Sequence, residues 1–309
     1  MTPSAARAIA GSAFAETSRQ PAFALVILFT LLSYALSPSI AMFALGEDLA
    51  LLKDFGLSTA LVAGLLVVSL GASSVVGRDL ELGTAGVLLS RPVSRHAFLL
   101  GKVLGVCAAA TMAFSIFTVA LFLAAREGPA IESHGRTRWP AAAVELAAIL
   151  LAAVIAGIYS RRSARPFRPA VIKMSCVTLL GAFLAVSILD PDPRHPSGFD
   201  SNLLKGALLA LLAVYVLASV ASLLAVLLGR GAFLGTILVF LAGLVLGEER
   251  PVAFGLVPDL QLFWVGEVFY ARNLEVPWSY VAGAGAYAAA CSTACVAAAA
   301  FFLERRELP

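Results

Sequence analysis

Long apolar runs separated by short polar stretches dominate the chain, and this pattern predicts helices that cross a membrane. A bilayer core about 30 Å thick needs about 20 apolar residues in a helix. Several runs meet or approach that length: 22–45, 58–76, 97–125, 141–160, 171–189, 203–228, 231–247 and 279–303. We therefore predict an all-α integral membrane protein, a polytopic helical bundle of about eight transmembrane helices.

The composition agrees with a chain that lies mostly in lipid. Hydrophobic residues make up 60% of the 309 residues and charged residues only 13%, about half of the ~25% that is usual in soluble proteins. These values exclude a disordered chain, a fibrous repeat and an ordinary cytosolic enzyme. The net charge of +3 is weak, and the Lys and Arg residues lie between apolar runs rather than in a basic cluster. We expect the lipid bilayer as the environment and no nucleic-acid partner.

The distribution of Lys and Arg predicts the orientation. If the N-terminus is cytoplasmic and eight spans alternate, most basic residues fall on the cytoplasmic side, as is typical of membrane proteins. Both termini are then cytoplasmic. A six-span arrangement, with one pair of segments folded differently, is the alternative, and it leaves the termini on the same side.

The predicted spans contain few ionisable residues, and none lies near a span centre. Lys102, Glu145, Lys173 and Lys205 lie near span ends, where we expect them to snorkel to the interface. This pattern argues against an ion-coupled carrier. The chain also lacks a G-x-x-x-x-G-K-[ST] phosphate loop and a G-x-S-x-G elbow, so nothing in it favours an embedded enzyme.

The last predicted span carries a small residue at every fourth position: Gly285, Ala289, Thr293 and Ala297. Stripes of this kind let helices approach closely in lipid. One interpretation is packing within the bundle, and the other is a subunit interface or a substrate path.

The stretch 77–105, between the second and third predicted spans, has helix signals of its own. Asp79 and Glu81 suit the N-terminal end of a helix. Pro92 should end that helix nearby, and Ser94 offers a hydroxyl to cap the next one. We predict a short helix at the membrane surface, a tight turn and a new helix. Such a surface helix either only anchors its charges or docks a cytoplasmic partner.

This stretch resembles the signature of ABC-2 type transporter permeases, in the branch that includes the NosY-like and the copper, sodium or drug export permeases. The pattern of that branch is E-x-x-T-x-x-x-L-L-S-x-P-V-S-R-x-x-F-L-L-G-K. The matching residues here are Glu81, Thr84, Leu88, Leu89, Ser90, Pro92, Val93, Ser94, Arg95, Phe98, Leu99, Leu100, Gly101 and Lys102.

The resemblance covers about 1–125 and 203–309 of a single permease domain, 1–309. Further matches are Phe14, Glu16 and Arg19 before the first span, Lys53 to Leu57 before the second, Pro258 to Leu260 and Val276 to Tyr280 before the last, and Arg305 to Leu308 at the end. Residues 126–202 depart from the six-span family pattern and are predicted to insert an extra helix pair.

The resemblance implies a non-catalytic membrane subunit of an ATP-driven exporter in the bacterial cytoplasmic membrane. A separate ATP-binding subunit would bind ATP and Mg, a second permease copy would complete the assembly, and this chain would need no cofactor. The 77–96 loop would be the coupling helix that docks on the ATP-binding subunit. Within it we expect the partner-binding residues to be Asp79, Leu80, Glu81, Thr84, Val87, Leu88, Ser90, Arg91, Pro92, Ser94 and Arg95.

The alternative function is an ABC-2-like membrane anchor that transmits ATPase-driven motion to an assembly or signalling complex without a transported cargo. The aromatic-rich segment 248–278 is predicted to form interfacial or re-entrant helices of an outer cap. A docking surface for an extracytoplasmic partner is the other interpretation of that segment. Nothing in the sequence identifies a substrate.

Overall fold

The computed structural model describes residues 3–41, 48–81, 94–127, 141–163, 167–189, 200–246, 258–264 and 275–305. The chain is helical over these residues, and they include no strand. Every predicted apolar run lies largely in a helix, which agrees with the predicted helical membrane bundle.

The long helices of the described residues follow the chain in order. They are α1 (Pro3–Arg19), α2 (Pro21–Ala41), α3 (Asp48–Ala72, continued by the π-helical turn Ser73–Gly77 and the short helix Arg78–Glu81), α4 (Arg95–Glu127), α5 (Ala141–Ser163), α6 (Phe167–Leu189), α7 (Ser201–Leu228), α8 (Ala232–Leu246) and α9 (Trp278–Arg305). A 3-10 turn, Gly229–Gly231, joins α7 to α8, and another, Gln261–Phe263, precedes α9.

Six helical stretches of the described chain are long and apolar enough to cross a bilayer, and the α1–α2 pair, bent by 63°, would add a seventh. One of the six, Ser201–Val245, has 45 residues and contains α7 and α8. A straight helix of that length would measure about 68 Å, more than twice a bilayer core. Gly235 of α8 lies against Leu224 of α7, so the chain reverses and α8 runs back along α7. The eight-span count and the orientation stay predictions.

The centre of the bundle is formed by α3, α4 and α7. The most apolar window of α3 is 78% buried, and those of α4 and of the stretch containing α7 are 61% buried. These helices are apolar around most of their circumference, as is expected for helices surrounded by other helices. Phe117, Leu121, Leu209 and Leu217 are among their fully buried side chains.

The predicted extra pair forms the helices α5 and α6, which pack against each other at the edge of the bundle. Only 22% of the apolar window of each is buried. Many of their exposed side chains are large and apolar, as lipid contact requires, among them Leu146, Leu150, Leu151, Val154, Ile158, Val177, Leu180, Leu184 and Ile188. We call this pair the peripheral hairpin.

The prediction that the four ionisable residues near span ends snorkel is wrong for three of them. Lys173 is exposed, but Lys102 is 4% exposed, Lys205 is 5% exposed and Glu145 is fully buried. The Lys205 ammonium lies 5.2 Å from the centre of the Trp278 ring. Each of these three side chains faces a neighbouring helix, and position along a span does not reveal that direction.

At the end of the bundle that we predict to face outward, polar contacts tie α3 and the segment before α9 to the start of α7. Asp200 caps α7 by accepting hydrogen bonds from the backbone N–H groups of Asn202, at 2.9 Å, and Leu203, at 3.3 Å. The same carboxylate pairs with Lys53 of α3. Of the predicted outer cap, 258–264 and 275–277 are described, and they contain one 3-10 turn. The rest of that prediction lies outside the described residues.

Candidate functional site

The candidate site is the end of the bundle where the chain leaves α3 after Glu81 and returns to α4 at Ser94. Both ends of this loop are described. Its middle, residues 82–93, lies outside the described residues and contains the predicted partner-binding residues Thr84, Val87, Leu88, Ser90, Arg91 and Pro92. The structure therefore shows how the bundle holds the two ends of the loop.

Asp79 and Glu81 do not open a separate surface helix, so that part of the prediction is wrong. They lie in the short helix Arg78–Glu81, which continues α3 without a break. The helix widens to π geometry at Ser73–Gly77, where the Ser73 hydroxyl donates a hydrogen bond of 3.0 Å to the Arg230 carbonyl. Both carboxylates pair with cations of neighbouring segments, Asp79 with Lys102 and Glu81 with Arg230.

Glu81 binds the turn between α7 and α8. Its Oε1 accepts a hydrogen bond of 2.8 Å from the backbone N–H of Arg230, and its Oε2 lies 2.9 Å from Arg230 Nε. Gly229 has a φ of +59°, a conformation that favours glycine, and a Cβ there would overlap Glu81 Oε1. A Cβ at Gly77 would lie 2.7 Å from the Gly229 carbonyl oxygen. Two glycines thus allow α3 and this turn to meet.

We expect Gly229→Ala to destabilise the protein. The positive φ alone costs an alanine about 1–2 kcal/mol, and the new methyl group also displaces the Glu81 carboxylate. The matched control is Gly231→Ala, because a Cβ at Gly231 finds its nearest neighbour at 3.5 Å and meets no positive φ. We expect that control to stay within about 0.5 kcal/mol of wild type. Denaturant unfolding of the purified chain in detergent measures both, and equal stabilities would contradict the assigned turn.

An ionic cluster joins α1, α3 and α4 beside this contact. Lys102 Nζ lies 2.7 Å from Asp79 Oδ2 and 3.8 Å from Glu16 Oε2, and Arg78 Nη2 lies 2.6 Å from Glu16 Oε1. The Lys102 and Asp79 side chains are only 5% and 15% exposed. Charges this buried need their partners, so the cluster fixes the three helices relative to one another. We call Glu16, Arg78, Asp79 and Lys102 the ionic cluster.

The returning end of the loop is tied to the last helix. Ser94 caps α4 as predicted, because the backbone N–H of Ala97 donates to its hydroxyl at 3.2 Å. Arg95 Nη1 donates to the carbonyl oxygens of Leu303, at 2.7 Å, and Glu304, at 3.1 Å. These are carbonyls of the final turn of α9, where a cation is favourable. The first end of the loop is therefore bonded to the α7–α8 turn through Glu81, and the second end is bonded to α9 through Arg95.

Several of the predicted partner-binding residues have contacts within this chain, and their binding of a partner stays a prediction. Leu80 is 3% exposed and packs in a buried cluster with Val76, Phe98 and Leu99. Asp79, Glu81 and Arg95 bind groups of this chain. Sequence reasoning missed Arg230 and Gly229, although the Gly-Arg-Gly triplet between two apolar runs is a turn signal.

A groove opens between α4, α7 and α9 on the same side of the molecule as Arg95. Its volume is about 680 Å³. All four residues of the predicted small-residue stripe, Gly285, Ala289, Thr293 and Ala297, line it. The opposite wall carries Thr111 and Tyr215, whose hydroxyl oxygens lie 2.8 Å apart in a hydrogen bond. The stripe therefore borders open space, which favours the interface or substrate-path interpretation over packing within the chain.

The outer surface of α9 differs from that of the other peripheral helices. Its exposed residues between Tyr280 and Phe301 are small: Ala282, Gly283, Ala286, Ala289, Ala290, Thr293, Ala294 and Ala297. The exposed surfaces of α2, α5, α6 and α8 instead carry Leu, Ile, Val and Phe. Small residues are typical of helix–helix contacts in membranes, so the composition of α9 favours a covering helix over lipid. We call these residues the small face of α9.

No cluster of three or more His, Cys, Asp or Glu side chains in the described part of the chain could hold a metal ion. Comparison with protein-family models finds no match for the chain, and comparison with curated proteins finds none.

Proposed function

We propose that this chain is the transmembrane permease subunit of an ATP-driven ABC-2 type exporter in the bacterial cytoplasmic membrane. A separate ATP-binding subunit would hydrolyse ATP, and the movement of that subunit would be transmitted to the 82–93 loop. The observation that carries the proposal is the attachment of the two ends of the loop to different helices. Glu81 is bonded to the α7–α8 turn, and Arg95 is bonded to the end of α9.

These bonds give a physical route from the loop to the membrane-spanning helices. A displacement of the loop pulls directly on α3 and α4, which it joins. Through Glu81 it moves the α7–α8 turn, and through Arg95 it moves α9. The groove is lined by α4, α7 and α9, so its walls would shift when the loop moves. Its walls are mainly apolar side chains, which suits an apolar or amphipathic cargo.

The small face of α9 supports pairing with a second copy of the permease. Ala282, Ala286, Ala290 and Ala294 recur every four residues along its outer side. In a twofold dimer the same surface of both copies meets, and small residues let two such helices approach closely. The proposed assembly therefore has two permease chains and two ATP-binding subunits.

The test is co-purification of an ATPase with the full chain in detergent. We expect wild type to carry an ATP-binding subunit in equimolar amount and the variant Leu88→Asp with Arg91→Glu to lose it. Glu81 stays unchanged in this variant, because its replacement would also disturb the α7–α8 turn. The matched control is Arg161→Glu with Arg162→Glu, a charge change of −4 against −3 for the loop variant, on another stretch predicted to be cytoplasmic. This control should retain the ATPase.

A thermal-shift measurement confirms that each purified chain is folded. If folded wild-type chain carries no ATPase, the permease proposal fails. If the loop variant keeps the ATPase as firmly as wild type does, the subunit docks elsewhere and the role of the loop fails. Stimulation of the ATPase by apolar compounds distinguishes an exporter from the alternative, a membrane anchor that transmits motion without cargo.

A further inference from the structure

Glu145 is an ionisable residue buried within the bundle, with no bonding partner in the described part of the chain. It lies in the first turns of α5, and its side chain is fully buried. Among the residues that the structure describes, neither of its carboxylate oxygens has a hydrogen-bond partner. An ionised carboxylate in this position would lose its hydration and gain nothing in exchange. Ionisable residues inside membrane bundles are rare and are functional-site candidates by default.

The groups around Glu145 do not neutralise it. Tyr34 of α2 lies within electrostatic reach and is itself fully buried, but its hydroxyl donates a hydrogen bond of 2.8 Å to the Gly56 carbonyl. On α4, Arg126 lies near the same end of the bundle, where it bonds the hydroxyl of Ser187 on α6 and lies 5.8 Å from the Phe183 ring centre. The described part of α6 beyond Cys176 contains no ionisable residue.

Glu145 belongs to a helix pair that is among the least buried parts of the bundle. It heads a line of buried residues along α5 that continues with Ala148, Ala152 and Ala156. The peripheral hairpin to which α5 belongs has most of its surface exposed, so it is the pair that can separate from the bundle with the smallest loss of packing. Glu145 lies in the first turns of α5, close to the end of the span, so separation would open it to water at the membrane interface.

We propose that Glu145 is a proton-binding site that links protonation to the packing of the peripheral hairpin. The carboxylic acid keeps its proton while the hairpin is packed against α2 and α4. When the hairpin separates, the acid releases that proton to water and becomes a hydrated carboxylate. This inference does not depend on the proposed ATP-driven function.

The linkage has a definite sign. The packed form binds the proton more tightly than the separated form does, so lower pH favours packing and higher pH favours separation. For a single proton the equilibrium between the two forms shifts by at most about tenfold per pH unit. Glu145→Gln keeps the shape of the neutral acid and cannot ionise, so it removes this pH dependence.

The experiment measures the accessibility of the buried side of α5. Full-length chain without its four native cysteines carries Ala148→Cys, a position 5% exposed, or Ala152→Cys, a position that is fully buried. The rate of reaction with N-ethylmaleimide in lipid nanodiscs is measured from about pH 6 to about pH 8.5, with Glu145 and with Glu145→Gln. The ratio of the two rates at each pH cancels the ionisation of the thiol itself.

We expect that ratio to rise at least about threefold over this range at both buried positions, within the tenfold-per-unit limit of one proton. Leu150→Cys, at a position that is 66% exposed, is the matched control, and its ratio should stay near one. A ratio that stays flat at both Ala148→Cys and Ala152→Cys overturns the proposal. A rise of equal size at Leu150→Cys also overturns it, because the effect would then not report separation.

Discussion

Lys102→Met is expected to destabilise the folded protein by about 3–5 kcal/mol, the usual cost of removing one partner from a buried ion pair. Lys102 is 4% exposed, and its ammonium forms the ion pair with Asp79 in the ionic cluster. Without that ammonium, a mostly buried carboxylate loses a cation that lies 2.7 Å from it. Equilibrium unfolding of the purified chain, by titration with sodium dodecyl sulfate in mixed micelles, measures the change.

Two further variants distinguish the cost of leaving a buried charge unpaired from the cost of lost packing. Lys102→Met with Asp79→Leu removes both charges, and we expect it to recover more than half of the loss, since paired buried charges can often be replaced by apolar residues. Lys173→Met changes an exposed lysine of α6 and should stay within about 0.5 kcal/mol of wild type. A loss below about 1 kcal/mol in Lys102→Met would show that the cluster is solvated.

Gly105→Leu should detach α1 from the bundle. A Cβ at Gly105 would lie 2.6 Å from the Ala10 carbonyl oxygen and 2.9 Å from the Phe14 backbone nitrogen, and a Cβ at Gly101 would lie 3.0 Å from the Ala6 carbonyl oxygen. These two glycines, four residues apart on α4, let the backbone of α1 pack directly against that helix. A leucine cannot fit there, and overpacking of this kind costs 1–3 kcal/mol or more.

Limited trypsin digestion reports the detachment, because α1 carries Arg7 and Arg19. We expect Gly105→Leu to be cut at these sites at least about tenfold faster than wild type, the factor that 1.4 kcal/mol of local opening produces. The matched control is Gly181→Leu on α6, where a Cβ would meet nothing within 4 Å. Equal cleavage rates in Gly105→Leu and Gly181→Leu would contradict the assigned packing of α1.

The positions of the helices were largely predictable from the sequence. The shortest apolar run, 231–247, is the helix Ala232–Leu246, and the predicted extra pair forms α5 and α6. The cap by Ser94 was also predictable, because capping depends on residues three apart along the chain. Such features need only the local sequence, since apolar length and near-neighbour hydrogen bonds determine them.

The candidate site was predicted only in part, because its contacts join distant segments. Glu81 bonds Arg230, 149 residues further along the chain, and Arg95 bonds Leu303, 208 residues away. The acids at 79 and 81 were predicted to begin a helix because acidic residues suit that end. They instead lie in the short helix Arg78–Glu81 that continues α3, where Asp79 pairs with Lys102 and Glu81 bonds the α7–α8 turn.

The sequence by itself determined that this is an all-helical membrane protein and where its apolar helices lie, because a bilayer constrains composition and length residue by residue. Only the tertiary structure decided which side chains are buried and what they meet. It placed Glu145 in a buried site without a partner, turned the small face of α9 outward, and fixed both ends of the loop on other helices. The physical reason is that a helix that is apolar on all sides has no periodic pattern of polar and apolar residues. Its sequence therefore does not show which way a side chain points, and only the neighbours in space determine the role of that side chain.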